Sequence, residues 1–346
     1  MFFIHHTACI SPQQNLSGPP AGPVDDVYNA IEPSYEGLPA NMLRRMSKSV
    51  RLGVGAALPL IRQYGMPDGI LTGTGNGGME ESIKFLRQLI EYNEGLLAPG
   101  HFVQSIPNAI ASQIGLLTNN RGYNSTYVHK GLGFEHALLD AAMLLQEDPG
   151  RCYLVTGVDE FSHYNYQIEL ANGWYKTETV PGKSLYDYQS PGSIAGEGAA
   201  VFLINAKPMH ALAAVRGIAT LHSDDDHLVR ERLHRFLRHH LPAGEKIDVL
   251  LTGENGDNRA QKWYRGCEAF FDEETTVARF KHLCGEYPTA SAFAVWLACL
   301  FTQAQALPDH LIKHPGENTR NKYIFLYNNY QLSQHSFILL ERFPSL

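Results

Sequence analysis

The chain has 346 residues, 44% of them hydrophobic and 18% charged, a balance typical of a soluble globular protein with a large core. Its formal charge of −7 argues against sequence-independent binding to nucleic acid or to an anionic membrane, because both require a basic protein face. Length alone suggests about two domains.

Neither a membrane span nor a signal peptide is predicted. The apolar stretch 290–301 is far shorter than the ~20 residues that cross a bilayer, and residues 1–11 lack a basic flank. The five cysteines are scattered without metal-ligand spacing. We therefore expect a reduced, cytoplasmic protein with no metal or cofactor.

In chain order, residues 16–40 are rich in Pro, Gly, Asn and Ser and predict a surface loop. Apolar spacing then predicts a helix over 41–64. Strand, turn and helix alternate afterwards, which predicts an α/β protein with mostly buried sheets. The predicted strands are 69–74, 123–128, 152–156, 199–205, 246–252 and a closing pair within 323–340; the helices are 79–91, 135–146, 227–240 and 291–303; a turn is expected near 278–281.

Two short motifs have simple structural explanations. Residues 73–78 match GxGxxG between a strand and a helix, the setting of a dinucleotide site, but they do not open the chain, and Glu94 beside a turn is a poor ribose ligand. A tight structural turn is the better interpretation. His310 and His314 stand four apart, yet no third metal ligand accompanies them, so surface histidines are favoured.

The segment 98–160 carries a family resemblance. Pro99, Phe102, Ser105, Pro107 and Asn108, followed by an Ala-rich helix, resemble the block that precedes the nucleophile in the β-ketoacyl-[acyl carrier protein] synthases.

Further blocks resemble that family in the same order along the chain. They are Ile4 with Ser11 and Pro12 (opening strand), Gly122 with the strand to Val128, 135–138 (nucleophile helix), 157–160, 196–200 and 281–285. The resemblance implies a thiolase-like fold with two similar halves, 1–207 and 208–346, in five layers ordered αβαβα.

The resemblance also implies that the condensing site is degenerate. The position of the acyl-accepting cysteine falls on Gly131, which cannot form a thioester. The two enolate-stabilising histidine positions fall on Gly253 and Glu286, and a carboxylate there would repel a malonyl group. Lys281 is retained. Tyr330 falls in the turn 328–331, where the family carries a gating phenylalanine.

A scaffold of this kind without its chemistry resembles a chain-length factor, the inactive subunit that pairs with an active ketosynthase in polyketide, aryl-polyene or fatty-acid-type biosynthesis. We expect the partner subunit to meet residues 105–108 and 122–128. A homodimer is the alternative assembly, and an acyl carrier protein is the second expected partner. Tunnel or pocket candidates are Phe102, His129, Lys130, Phe134 and Tyr330.

Two other functions stay open at this point. One is an acyl-thioester hydrolase or dehydratase that uses His129, Lys130, Glu254 or Glu286 in the old pocket, because a glutamate facing a base in a dry cleft is a plausible general base. The other is a true 3-oxoacyl synthase with an unrecognised nucleophile.

Overall fold

A computed structural model describes residues 1–13, 27–95, 97, 99–180, 185–303, 307–317 and 320–343. The strands are β1 Phe2–Ile10, β2 Val27–Tyr28, β3 Gly69–Thr74, β4 Tyr123–Val128, β5 Cys152–Asp159, β6 Ala195–Gly196, β7 Gly198–Asn205, β8 Ala213–His222, β9 Val249–Thr252, β10 Thr276–Arg279, β11 Ile312–His314, β12 Tyr323–Tyr330 and β13 Gln334–Arg342. The helices are α1 Ala40–Leu43, α2 Lys48–Tyr64, α3 Met79–Glu91, α4 Pro99–Ser105, α5 Ala109–Thr118, α6 Gly133–Glu147, α7 His163–Ala171, α8 Asp226–His240, α9 Gln261–Glu268, α10 Lys281–Cys284 and α11 Ala290–Gln303.

The large sheet contains two groups of strands with the same internal order. The first group runs β4-β3-β5-β7-β1 and the second runs β10-β9-β12-β13-β8, with β11 added at its edge. In each group, the strand that comes first in sequence (β1 or β8) lies at one end, and the strand that comes third in sequence (β4 or β10) lies at the other end. A short antiparallel pairing of Phe2–Ile4 in β1 with residues 213–215 in β8 joins the groups.

The two groups of strands enclose a shared layer of helices. Helix α6 packs on β3, β4 and β5 and also on β8, while α11 contacts β1, β5 and β7 on one side and β12 and β13 on the other. Helices α2 and α5 cover the outer face of the first group, and α8 and α9 cover that of the second. The predicted five-layer α/β architecture is therefore confirmed.

Apolar packing explains the central layer. Its core joins Phe134 and Leu138 of α6 and Phe293 and Leu297 of α11 to strand residues from both groups, such as Phe202. Helix α11 is almost wholly buried, because an apolar helix between two sheets has no face left for water. Separate cores lie beneath the outer helices of each group.

Most of the predicted elements are present, with local corrections. Strands β3 and β4 and helix α3 have the predicted bounds, and two closing strands are found. The single helix expected over 41–64 is two helices, because the Ser47 hydroxyl accepts a hydrogen bond from the Val50 amide and starts α2 anew. The turn expected near 278–281 is wrong: Thr276–Arg279 form β10, which pairs in parallel with β9.

Other predictions concern the flanking segments. Residues 16–26 of the expected loop lie outside the described part of the chain. Strand β8 was missed, because its Ala- and Gly-containing sequence has a weak strand signal. Among the described residues, no helix has the length and apolar character to cross a membrane.

Candidate functional site

The predicted nucleophile position lies on a sharp bend between β4 and α6. Residues Lys130–Leu132 form a single 3-10 turn there, and Lys130 has a left-handed backbone with φ 45°, which is uncommon for a residue with a side chain. Gly131 itself is buried. The expected elbow geometry is present, and the residue at its apex has no side chain.

Tyr330 occupies the space in front of Gly131. A Cβ built on Gly131 would lie 2.3 Å from Tyr330 Cβ and 2.5 Å from Tyr330 Cγ, and the tyrosine is buried. Tyr330 is the last residue of β12, whereas the sequence predicted it within a turn over 328–331. That prediction is wrong: the turn follows at 331–333, so the strand fixes Tyr330 over the elbow.

The backbone of the elbow is also engaged. The Gly131 amide donates a hydrogen bond to Gln334 Oε1 over 2.9 Å. An amide near a helix N-terminus can stabilise a developing oxyanion when it is free. Here a side chain of β13 already uses it.

Gly253, at the first of the two predicted enolate-stabilising positions, also lies against a side chain of β12. A Cβ on Gly253 would lie 2.1 Å from Asn328 Oδ1, so a larger residue here would have to displace this side chain. The Gly253 carbonyl accepts a hydrogen bond from the Tyr264 hydroxyl over 2.7 Å. The end of β12 therefore fills the space at both glycine positions, with Asn328 at one and Tyr330 at the other.

Lys281 and Glu286 form a buried ion pair. Lys281 Nζ lies 2.6 Å from Glu286 Oε1, and Asn255 Nδ2 donates to Glu286 Oε2 over 2.7 Å. Burial raises the pKa of the Glu286 carboxyl, and the Lys281 ammonium opposes that rise. Both carboxylate oxygens are occupied, so Glu286 acts as the counterion of Lys281.

The space beside Glu286 is too small for an acyl thioester. The cavity that Glu286 lines together with Tyr330 and Trp174 has a volume of about 20 Å³, which holds little more than one water molecule. Glu254, the other proposed base, is paired with Lys313 over 2.9 Å. The geometry therefore gives no support to hydrolase or dehydratase chemistry at this site.

A buried acid beneath the elbow was missed by sequence reasoning. Glu135, in the first turn of α6, is fully buried, and among the described residues no donor meets hydrogen-bond geometry toward either carboxylate oxygen. Burial raises its pKa, and the Ser291 and Ser336 hydroxyls and the Lys281 charge oppose that rise. An acid is common in a first helical turn because it complements the helix dipole, so nothing in the sequence indicated that this one is buried.

The tunnel candidates are divided between surface and core. Phe102, on α4, is 57% exposed, and His129 and Lys130 are exposed on the elbow. Phe134 is fully buried, with its ring centroid 5.5 Å from that of Phe202. The structure therefore places Phe134 in the central core, where it cannot meet another subunit.

The glycine-rich motif is explained by packing. A Cβ on Gly78 would lie 2.7 Å from the Gln104 carbonyl oxygen, and one on Gly77 would lie 2.9 Å from Pro107. Both glycines have positive φ. The motif therefore holds α4 close to the start of α3, and packing accounts for its glycines.

The surroundings of the five cysteines disfavour the thiolate form. Burial raises the pKa of the Cys152 thiol to about 11 and that of the Cys299 thiol to about 12. The pKa values of Cys9, Cys267 and Cys284 are also raised by burial. A thiol that its surroundings keep neutral is a poor nucleophile, so none of the five cysteines is favoured as the nucleophile of a synthase.

Among the described residues, no group of three or more His, Cys, Asp or Glu side chains is placed to hold a metal ion. His310 lies in a 3-10 turn and His314 in β11, so the two do not share a helix face.

Comparison with known proteins agrees with this architecture. Residues 20–176 match the family model described as the β-ketoacyl synthase N-terminal domain. No curated protein matches the chain.

Solved structures share the fold along the whole chain. The ishigamide ketosynthase/chain length factor has a TM-score of 0.75 at 16% identity, covering 99% of each chain. The complex of ketosynthase ApeO with its chain length factor ApeC from Xenorhabdus doucetiae has a TM-score of 0.76 at 14% identity, covering 99% of this chain and 98% of that one. A β-ketoacyl synthase from Burkholderia phymatum STM815 has a TM-score of 0.74 at 13% identity, covering 99% of each chain.

Proposed function

Starting from a chain that has the fold of the β-ketoacyl synthases and matches the model of their N-terminal domain over residues 20–176, we propose that its role is that of a non-condensing partner subunit. It pairs with an active ketosynthase and shapes the space into which the partner's acyl chain grows. The pathway class is polyketide, aryl-polyene or fatty-acid-type biosynthesis, with the acyl chain carried on an acyl carrier protein.

The observation that carries this proposal is the filled elbow. Gly131 offers no thiol, Tyr330 occupies the volume in which a thioester would form, and Gln334 uses the adjacent amide. Covalent catalysis requires an activated nucleophile with space for its substrate. The nucleophile and the space for a substrate are both missing, while the fold around them is intact. This combination suits a subunit whose role is structural.

The edge of the sheet supports the choice of partner. Strand β4 ends the sheet, and its residues are exposed or half-buried. An open edge of this kind is a template for pairing with another chain. The Asn108 amide donates to Asn124 and Thr126 of β4, each over 3.0 Å, and so holds the corner between α4 and α5 against this edge.

An apolar ridge on α4 and the loop after it extends the same surface. Phe102, Val103 and Ile106 are 57%, 55% and 43% exposed. Grouped apolar side chains on a surface mark protein interaction sites. We assign this ridge and the β4 edge to the partner ketosynthase, with Phe102, His129 and Lys130 as the side chains that limit the length of the acyl chain.

Coexpression tests the pairing. The chain is produced with a ketosynthase encoded by a neighbouring gene that retains its cysteine elbow, together with the carrier protein, and the complex is sized by light scattering. We expect a heterodimer in which labelled acyl groups load onto the partner's cysteine alone. A chain that stays monomeric or only self-associates, or an acylated peptide from this chain, would contradict the proposal.

Product analysis tests the measuring role. Phe102→Ala removes a large side chain from the proposed tunnel wall, so the reconstituted heterodimer should release longer acyl products by mass spectrometry. Leu228→Ala, on the exposed face of α8, is the matched control and should leave the product length unchanged. Equal product lengths from the Phe102 variant and the wild type would remove Phe102 from the tunnel.

A further inference from the structure

Two histidines meet beside the elbow. His129 follows β4, and His136 lies in the first turns of α6. Their Nδ1 atoms share a hydrogen bond of 3.1 Å, and their ring centroids are 4.6 Å apart with the planes tilted by 44°. His129 is exposed and His136 is half-buried, so the pair opens to solvent on the side of the β4 edge.

The distance between the two Nδ1 atoms is close to the distance between two nitrogens that bind the same metal ion. Imidazole nitrogens bind Zn²⁺ at about 2.0–2.1 Å, which places two nitrogens of a tetrahedral site about 3.3 Å apart. A shift of a few tenths of an ångström in the exposed His129 ring is enough to reach that value. The two residues come from a rigid turn and a helix start, so the pair is held without a ligand.

The charged groups near the pair have other partners. A neutral imidazole offers the nitrogen lone pair that a transition metal requires, so a metal ion would replace the hydrogen bond between the two rings. The nearest lysine, Lys130, interacts electrostatically with Glu169 of α7, and Asp140, one turn after His136, accepts a hydrogen bond from the Tyr123 hydroxyl over 2.9 Å.

We propose that His129 and His136 form one half of a transition-metal site of the Zn²⁺, Ni²⁺ or Cu²⁺ class. The described residues supply no third His, Cys, Asp or Glu ligand, so two coordination positions stay open. Because the pair adjoins the β4 edge, side chains of the partner subunit complete the site in the heterodimer. This last step rests on the proposed function.

Metal titration of the isolated chain tests the pair. Zn²⁺ is titrated against a chromophoric chelator, with wild type, His129→Ala, His136→Ala and His234→Ala compared. His234 lies on α8, away from the elbow, and serves as the matched control. We expect each elbow variant to weaken one site at least about tenfold and the control to bind as the wild type does. Equal affinity in all four proteins would overturn the inference.

The heterodimer tests the shared ligands. Its dissociation constant is measured with Zn²⁺ and with EDTA, for the wild type and for His129→Ala. If Zn²⁺ lowers the dissociation constant of the wild type and not that of the variant, the shared site is supported. If Zn²⁺ leaves the dissociation constant of the wild type unchanged, the shared site is refuted. No heterodimer in either condition would instead refute the proposed function, while histidine-dependent binding by the isolated chain would still establish the metal pair.

Discussion

Replacing Gly131 by cysteine introduces a Cβ into the space of Tyr330. The built Cβ lies 2.3 Å from Tyr330 Cβ, so β12 or the elbow must move. We expect Gly131→Cys to lower the free energy of unfolding by about 1–3 kcal/mol and to leave the thiol unreactive. Chemical denaturation and mass spectrometry after alkylation measure the two effects.

The double variant Gly131→Cys with Tyr330→Ala is the control. Removing the ring gives the thiol room, so alkylation should become measurable although condensation does not return. A single Gly131→Cys variant that is as stable as the wild type and is alkylated rapidly would show that Tyr330 does not fill the elbow.

Glu135 should make stability depend on pH. Burial raises its pKa above the ordinary value of 4.5, so its contribution is fully present below that value and is lost as the pH rises through the folded-state pKa. Glu135→Gln cannot ionise. We therefore expect the free energy of unfolding of the variant, relative to wild type, to increase between about pH 4.5 and neutrality, as measured by urea titration.

Glu286→Gln is a second substitution of a buried glutamate by glutamine, and it should have the opposite effect on stability. It leaves Lys281 buried without its counterion, which should cost about 3–5 kcal/mol at neutral pH.

Other buried acids, such as Asp159 and Glu160, are shared by wild type and Glu135→Gln and cancel in the comparison. Parallel pH profiles for wild type and Glu135→Gln would mean that Glu135 does not titrate in the folded chain.

At the scale of elements, the ridge on α4 should matter for assembly and not for folding. Val103 is 55% exposed, so Val103→Asp should change the free energy of unfolding of the isolated chain by less than about 0.5 kcal/mol. It should weaken the heterodimer at least about tenfold, because it places a charge in an apolar interface. Sedimentation of the mixed subunits measures this effect.

The matched control is Leu228→Asp on α8, where the replaced leucine is 46% exposed. It should leave the heterodimer intact. If both variants weaken the complex equally, the interface lies elsewhere and β4 is not the pairing edge.

Sequence patterns predicted elements better than contacts between them. The period of α3 and the apolar run of β3 are local signals, and both bounds were predicted correctly. The strand character of Asn328 and Tyr330 was not predicted, because asparagines favour turns and only pairing with β13 makes them a strand. Phe134 was predicted to line a tunnel, but it lies in the central core. A single sequence does not show which face of α6 packs toward α11.

The candidate site shows the same division. The positions of Gly131, Gly253, Lys281 and Glu286 followed from the order of blocks along the chain. Their contacts did not, because Tyr330, Asn328 and Asn255 reach them from distant segments. Glu135 gave no signal at all, since its burial depends on the layer above it.

At the scale of the whole molecule, the shared helical layer should make folding cooperative. Helix α6 belongs to the first half of the chain and packs also on β8, while α11 belongs to the second and packs also on β5 and β7. We expect the separate fragments 1–207 and 208–346 to lack fixed tertiary packing, because each loses one cover of its sheet. Near-ultraviolet circular dichroism checks this, and mixing the fragments should restore the signal.

Intact near-ultraviolet signals from each fragment alone would show instead that the halves are independent domains. Full-length chain, unfolded by urea and followed by both fluorescence and circular dichroism, is the reference. Coincident transitions are expected from a single cooperative unit.

The hydrogen bond from the Gly131 amide to Gln334 bears on what thioester chemistry at this elbow would require. A working thioester site needs a sulfur, a vacant volume and a free amide at the same moment. A thiol alone crowds Tyr330, a smaller residue at 330 alone leaves a void, and loss of Gln334 alone leaves a buried donor without a partner. Each of these single changes is therefore expected to lower stability, so a thioester site at this elbow would require several substitutions together.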